Sequence, residues 1–262
     1  MSKYKLGLAG IIRDRSNYVK EWLAFHHLAG VEAFYIVLDG CKEPTKERIL
    51  ELPFQENIFL HETTHTGNDY RQVAAYEFIF NRYKNDCDWM VVVDSDEFLF
   101  NPQGRDLKEV LTEFDSIDCG GVIVPWTVFG PSNHVVQPPG LFIDNFVTSH
   151  GVRNRTWGTV KSITKTSEYE SCGHVHYMNV RKPYVLEDGK PFELVGPGIP
   201  RPARRSKCRK NASSFSSPAR KWKKKSPSWS GRKRSKRGTD VGHIGSAISE
   251  LQWTFRFIDN QP

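Results

Sequence analysis

The chain has 262 residues, 38% of them apolar and 26% charged, which is enough for one sizeable α/β domain with a buried core. Its net charge of +7 joins two opposite parts: residues 201–237 hold 16 Lys/Arg and no acid, leaving 20 basic and 27 acidic residues in 1–200. An acidic body excludes a broad nucleic-acid surface there, and the absence of any eighteen-residue apolar run excludes a membrane-spanning helix.

In chain order, residues 6–12 form a short apolar run that reads as a strand. Ser16 is placed to cap a helix with Val19, Trp22, Leu23 and His26 on one face, and Gly30 stands where a left-handed C-terminal glycine belongs. Residues 33–38 are a second strand ending at Asp39-Gly40. A short helix over 43–51 and a strand over 58–60 follow, then a helix over 69–83 with Val73, Tyr76, Phe80 and Tyr83 on one face. Residues 89–93 are nearly all apolar, as in a strand buried on both faces of a parallel sheet. This alternation predicts an α/β fold with a doubly wound, mostly parallel sheet.

A helix over 107–114 and a strand over 122–126 come next. Short strands and loops are expected over 127–195, with turns at Gly130-Pro131, Pro138-Pro139-Gly140 and Asp188-Gly189. From 201 the composition breaks into Ser, Lys and Arg without periodicity. The chain is therefore divided into a domain, 1–200, and a basic, poorly ordered tail, 201–262. Within that tail, residues 244–262 recover Leu251, Trp253, Phe255 and Phe257 and are read as a short docking helix.

The five cysteines are odd in number and form no CxxC pair, which argues against a thiolate zinc site and for reduced thiols. The opening residues lack the cleavage pattern of a signal peptide, so a cytoplasmic location is expected.

The sharpest chemical feature is Asp94-Ser95-Asp96-Glu97-Phe98, directly after the buried strand. Ligands of parallel α/β sheets bind beyond the carboxyl ends of the strands. Carboxylates there can hold Mn²⁺ or Mg²⁺ against the phosphates of a nucleotide. An acidic turn exposed to water is the plainer explanation of the same residues. Asp14 and Asp39, at the ends of the first two strands, can accept from ribose hydroxyls or a base N–H; helix capping and a tight turn are the alternatives. Arg13 and Lys161 are candidates for the phosphates.

The DxDEF motif after an apolar strand resembles the DUF23-type, family 2-like glycosyltransferases related to family 92. Three other stretches support the resemblance. They are Ile11-Ile12-Arg13-Asp14 with Glu21-Trp22 to His26 and Gly30-Val31; Arg71-Gln72 to Tyr76; and Lys161-Ser162-Ile163 with His174-Val175-His176. The resemblance covers about residues 5–180. It implies a GT-A-like fold, a nucleotide-sugar donor (a UDP-sugar), a glycan, lipid-linked or other hydroxyl acceptor, and inversion at the transferred sugar. It further implies Asp94 and Asp96 at the metal and diphosphate, with Asp96 the more direct ligand. Glu97 would lie near the donor sugar or order the loop. A histidine is expected as third metal ligand; if its segment is a strand, only one of His174 and His176 can serve, and His176 is favoured. Arg13 and Arg15 where the family has Lys and Glu, and Asn145-Phe146 where it has Arg-Phe, are departures.

Inverting transfer needs a base for the acceptor hydroxyl, and Asp144 and Glu168 are candidates that spacing does not separate. Trp126, Phe129 and Trp157 are candidates for a sugar-stacking floor or for core. The tail lacks the N-H-Y segment of the family, so a disrupted reading frame and a degenerate transferase are one alternative. A tail that contacts an anionic membrane or polyanion is another, as is a nucleic-acid-binding tail using Lys221 to Lys225 for phosphates and Trp222 and Trp229 for stacking. A phosphohydrolase with its DxD on the first strand is disfavoured, because the motif here follows the fourth.

Overall fold

The computed structural model describes residues 2–63, 71–149 and 160–192, and the main chain of 252–254. In chain order these hold β1 (Tyr4–Ile12), α1 (Val19–Ala29), β2 (Ala33–Asp39), α2 (Thr45–Leu50), β3 (Ile58–Thr63), α3 (Arg71–Tyr83), β4 (Cys87–Val92) and β5 (Phe98–Phe100). They continue with α4 (Leu107–Glu113), β6 (Gly121–Thr127), α5 (Phe142–Asn145), β7 (Val160–Lys165) and β8 (Tyr169–Ser171). The last are β9 (Asn179–Val180), β10 (Tyr184–Val185), β11 (Pro191–Phe192) and β12 (Gln252–Thr254).

The main sheet runs β3-β2-β1-β4-β7-β6-β10-β11. The first four strands are mutually parallel, β7 is antiparallel to both β4 and β6, and β10 lies parallel to β6. The mostly parallel α/β sheet expected from the sequence is therefore present. Parallel strands bring their carboxyl ends together, so Ile12, Asp39, Thr63 and the chain after Val92 share one rim. The strand order turns back between β1 and β4, which opens the crevice where such sheets bind ligands.

Alternation of side chains sorts the sheet between two cores. Leu6, Leu8, Phe34, Ile36, Leu38, Trp89 and Val91 face α1 and α4; Ala9, Tyr35, Val37, Met90 and Val92 face α3 through Tyr76, Ile79 and Phe80. Gly10 lets α1 lie close: a Cβ there would sit 3.0 Å from the Trp22 ring and 3.1 Å from Ile36.

Two local expectations are corrected. Helix α1 begins at Val19 without a side-chain cap, because Ser16 gives its N–H (3.0 Å) and hydroxyl (2.8 Å) to Glu43. Gly30 does end it, left-handed at φ 113°. Residues 252–254, expected in a helix, are strand β12, antiparallel to β5 and parallel to β6. Both of those strands leave an edge to pair, and Trp253 and Thr254 suit extended backbone. The rest of the 201–262 tail lies outside the described residues. No helix among the described residues is long and apolar enough to cross a membrane.

His26 is fully buried in α1 with both ring nitrogens used. Nδ1–H donates to the Trp22 carbonyl at 2.8 Å, and Nε2 accepts the Leu99 N–H at 3.0 Å. The ring also lies parallel to Phe98, 5.9 Å away. Only the neutral ring satisfies this arrangement, because a proton on Nε2 would confront the Leu99 N–H. Burial drives its pKa down from 6.5 to about 4, against the opposing pull of the Trp22 carbonyl. The unfolded chain therefore takes up this proton first. The contribution of His26 is complete above pH 6.5 and erodes as pH falls toward 4, by about 3 kcal/mol in all. Denaturant unfolding between pH 7 and 4 should show wild type losing roughly that much more stability than His26→Gln; parallel pH profiles would reject the assignment.

Candidate functional site

The chain leaves β4 at Val92, and Asp94, Ser95 and Asp96 turn at the carboxyl rim before β5. Strand β7 enters from that same rim, because it runs against β4. The register pairs Val91 with Ile163, so the ladder continued by two places sets Lys161 level with Val93. A lysine in a central strand thus points into the base of the acidic turn.

Lys161 is fully buried, and its Nζ lies 3.0 Å from Asp94 Oδ2 and 3.1 Å from Glu97 Oε2. The other Asp94 oxygen accepts from Gln72 Nε2 at 2.6 Å and from Tyr76 OH at 3.2 Å. Glu97 Oε2 also accepts the Asp94 N–H at 3.0 Å, closing the turn on itself. Burial disfavours charge on all three groups. At Asp94 the charge and hydrogen bond of Lys161 outweigh it, with His176 and Tyr76 adding, and the carboxyl is held below its ordinary range. At Lys161 the two acids likewise win and raise the ammonium. At Glu97 burial wins and pushes the carboxyl up.

One sequence expectation changes here: Lys161 is committed to Asp94 and Glu97 and is not a free cation for the diphosphate. Of the two roles expected of Glu97, its 1% exposure and its bond to the Asp94 N–H fit ordering of the loop. Gln72 and Tyr76, which clamp Asp94, had been noted only as part of the family resemblance. Their signal was a polar pair one helical turn apart on the apolar face of α3.

The late histidines arrive beside this turn. Residues 174–176 form a bend instead of a strand, so the argument from opposite faces does not apply: the two rings lie 5.1 Å apart. The His176 carbonyl accepts the Ser162 N–H at 2.9 Å, next to Lys161. Among the described residues, no three His, Cys, Asp or Glu side chains converge as a ready-made metal cage. Of the three expected donors, Asp94 already accepts from Gln72 and Tyr76 on one oxygen and from Lys161 on the other. Asp96, half-buried on the turn, and His176 are the other two residues that the sequence assigns to a cation. One carboxylate and one imidazole suit a cation that completes its shell with substrate phosphates and water.

A second polar cluster occupies the ends of β1, β2 and β3. Asp39 is buried, its Oδ1 accepting from Arg71 Nη1 at 2.7 Å and Thr63 Oγ1 at 3.1 Å, and its Oδ2 paired with the Arg13 guanidinium. Arg13 Nε also donates to the Asp39 carbonyl at 3.1 Å. Burial raises the Asp39 carboxyl, but the bonds from Arg71, Arg13 and Thr63 more than offset it and hold it low. Asp14, at φ 49°, does not cap α1; its Oδ1 accepts the Lys42 (2.6 Å) and Glu43 (3.0 Å) N–H groups and ties the loop after β2 to the end of β1.

The remaining candidates separate. Glu168 is corrected as a base, because it lies beyond the far end of β7, paired with Arg181 and Lys182. Thr166 Oγ1 there bonds the Cys87 carbonyl at 2.6 Å, so roughly 20 Å of strand lies between Glu168 and Asp94. Asp144 is exposed in α5, whose first N–H groups, Phe142 and Ile143, are held by Glu21 of α1 at 2.8 and 3.0 Å. Phe129 is buried in the core and is no sugar floor. The Trp126 side chain and Trp157 lie outside the described residues.

Removing Lys161 should leave two acids facing each other in the interior. Lys161→Met should destabilise the fold by about 3–5 kcal/mol in denaturant unfolding. Adding Glu97→Gln should recover part of that loss; a single variant as stable as wild type would show the pair to be energetically idle.

The sequence profile of glycosyltransferase family 92 matches residues 9–192. A family 92 protein of Arabidopsis thaliana is 26% identical over 146 residues, 52% of this chain and 25% of its own length. One of Ricinus communis is 24% identical over 204 residues, 75% of this chain and 34% of its own length. The chain thus spans about a quarter to a third of these relatives. Among solved structures, Staphylococcus aureus TarS 1–349 in complex with UDP aligns over 62% of this chain and 47% of its own, with TM-score 0.43 and 13% identity. HddC from Yersinia pseudotuberculosis aligns over 70% and 89%, with TM-score 0.38 and 10% identity. With its profile match running from the middle of β1 to the end of β11, across every strand that builds the rim, the chain belongs to glycosyltransferase family 92.

Proposed function

We propose that this chain transfers a sugar from a nucleotide-sugar donor, a UDP-sugar, to a hydroxyl of a glycan or lipid-linked acceptor, with inversion and with Mn²⁺ or Mg²⁺. The observation that carries the reading is the shared rim. It sets the Asp39–Arg13–Arg71 cluster beside the locked turn that presents Asp96. Family membership supports the same chemistry.

In this reading the nucleoside lies over the ends of β1 and β2. The Arg13 guanidinium, half exposed, offers its free edge to the nucleotide, and Asp39 and Arg71 keep it in place. Asp14 shapes the neighbouring loop. Asp96 and His176 would hold the divalent ion, which when bound neutralises charge developing on the diphosphate leaving group. Asp94 serves indirectly: fixed by Gln72, Tyr76 and Lys161, it sets the start of the turn. Lys161 supplies the internal counter-charge that lets Asp94 and Glu97 stand together without repelling the loop open.

Asp144 is the acceptor-side carboxylate. It sits on a turn that Glu21 ties to α1, next to the residue that touches the metal loop, and it takes the proton of the attacking hydroxyl. The basic stretch 201–237 is the part suited by charge to an anionic membrane or polyanionic acceptor, and we propose a cytoplasmic, membrane-peripheral placement on that ground.

Calorimetric titration of UDP and UDP-sugars should show binding that requires Mn²⁺ or Mg²⁺, disappears with EDTA, and is lost in Asp96→Ala. Metal-independent binding, or no binding by folded protein, would sink the donor reading. With donor and acceptor in hand, Asp144→Asn should lower kcat by about 10²–10⁴-fold while donor affinity stays as in wild type. An unchanged kcat would remove Asp144 from the mechanism.

A further inference from the structure

Trp22 and His26 lie four residues apart in α1, so they project from one face of the helix. That face meets the main chain immediately after Asp96. Trp22 Nε1–H donates to the Glu97 carbonyl at 2.8 Å, and His26 Nε2 accepts the Leu99 N–H at 3.0 Å. The His26 Nδ1–H bond to the Trp22 carbonyl fixes which nitrogen does the accepting. The helix therefore grips the chain on both sides of Phe98, whose ring is itself stacked on His26. All of these groups are buried: Trp22, His26 and Leu99 at 0% exposure, and Glu97 and Phe98 at 1%.

The turn has a second set of fastenings at its other end. Gln72, Tyr76 and Lys161 fix Asp94, and Glu97 Oε2 closes onto the Asp94 N–H. Asp96 lies between the two sets. With Asp94 and Glu97 both held, its peptide has little freedom left, and the Trp22 and His26 bonds determine where the downstream end is held. A ligand carboxylate must be placed within about 0.5 Å of its working position, and groups behind such a ligand commonly decide that.

We propose that Trp22 and His26 are positioning residues for Asp96, acting through the main chain at Glu97 and Leu99 to aim its carboxylate at the diphosphate-bound cation. This rests on the metal reading above. Neither residue touches metal or substrate; each acts through backbone atoms.

Glu21, between them and α5, supplies an internal control. It lies on the same helix and its loss also frees two N–H groups, but those belong to Phe142 and Ile143 and not to the metal turn. The test is the affinity of Mn²⁺, in the presence of UDP, for the full chain, measured by calorimetry with Tm followed in parallel. Trp22→Phe replaces the indole by a smaller aromatic ring without the N–H, and His26→Leu removes the acceptor. Each should weaken Mn²⁺ binding by about 10-fold or more. His26→Gln, whose amide oxygen can accept the Leu99 N–H, should bind Mn²⁺ more tightly than His26→Leu. Glu21→Ala should lower Tm while leaving the Mn²⁺ affinity as in wild type.

Wild-type affinity in Trp22→Phe and His26→Leu would overturn the proposal. So would an equal loss in Glu21→Ala, since that would mark a general loosening of α1. Wild type that binds no Mn²⁺ would reject the metal reading itself, a different result from intact wild-type binding with unaffected variants.

Discussion

A lysine ammonium taken wholly out of water is stable only where carboxylates replace its hydration, and Lys161 meets that condition with two. The pairing has consequences in both directions along the chain. It lets Asp94 and Glu97, three residues apart and both largely shielded from water, remain next to each other. It also ties the antiparallel strand β7 to the end of β4, so the acidic turn cannot form without the later half of the domain in place. The same pairing decides the roles of the acids. The oxygens of Asp94 are shared among Lys161, Gln72 and Tyr76, so its place at the start of the turn is fixed from three sides.

The second constraint is the direction of the strands. Four parallel strands place their carboxyl ends on one rim, and the reversal of strand order between β1 and β4 separates two polar clusters there by a crevice. On one side Asp39 is held by two guanidiniums; on the other the turn is held by one ammonium. Each cluster is a buried anion with fixed cations, so both keep their shape without ligand.

Helix α1 connects these features to α5. Its buried face packs on β1 through Trp22, with Gly10 giving the room. Its neighbour Glu21 caps α5, and Trp22 and His26 hold the chain after Asp96. One helix thus fixes the acidic turn and the Asp144 turn relative to each other.

Much of this was legible in the residues. Apolar runs at 6–12, 33–38 and 89–93 and the periodic face of α3 determine strand and helix by local patterning alone. A doubly buried strand followed by Asp94-Ser95-Asp96 places a polar turn at a sheet's carboxyl rim. Gly30 marks its helix end because only a residue without a side chain adopts φ 113° at no cost. What each acid does was not legible, because a carboxylate's role depends on which charges reach it from distant parts of the chain. Lys161 is 67 residues from Asp94, and Arg71 is 32 from Asp39. Spacing could not separate Asp144 from Glu168, yet the antiparallel course of β7 puts Glu168 at the wrong end of the sheet. Nor could it tell that residues 252–254 pair as a strand, since an edge strand is determined by the partner it finds. Local patterning sets the elements, their order and the location of the acidic turn. Which carboxylates are met by internal cations is set only on folding, because those contacts join segments far apart in the chain.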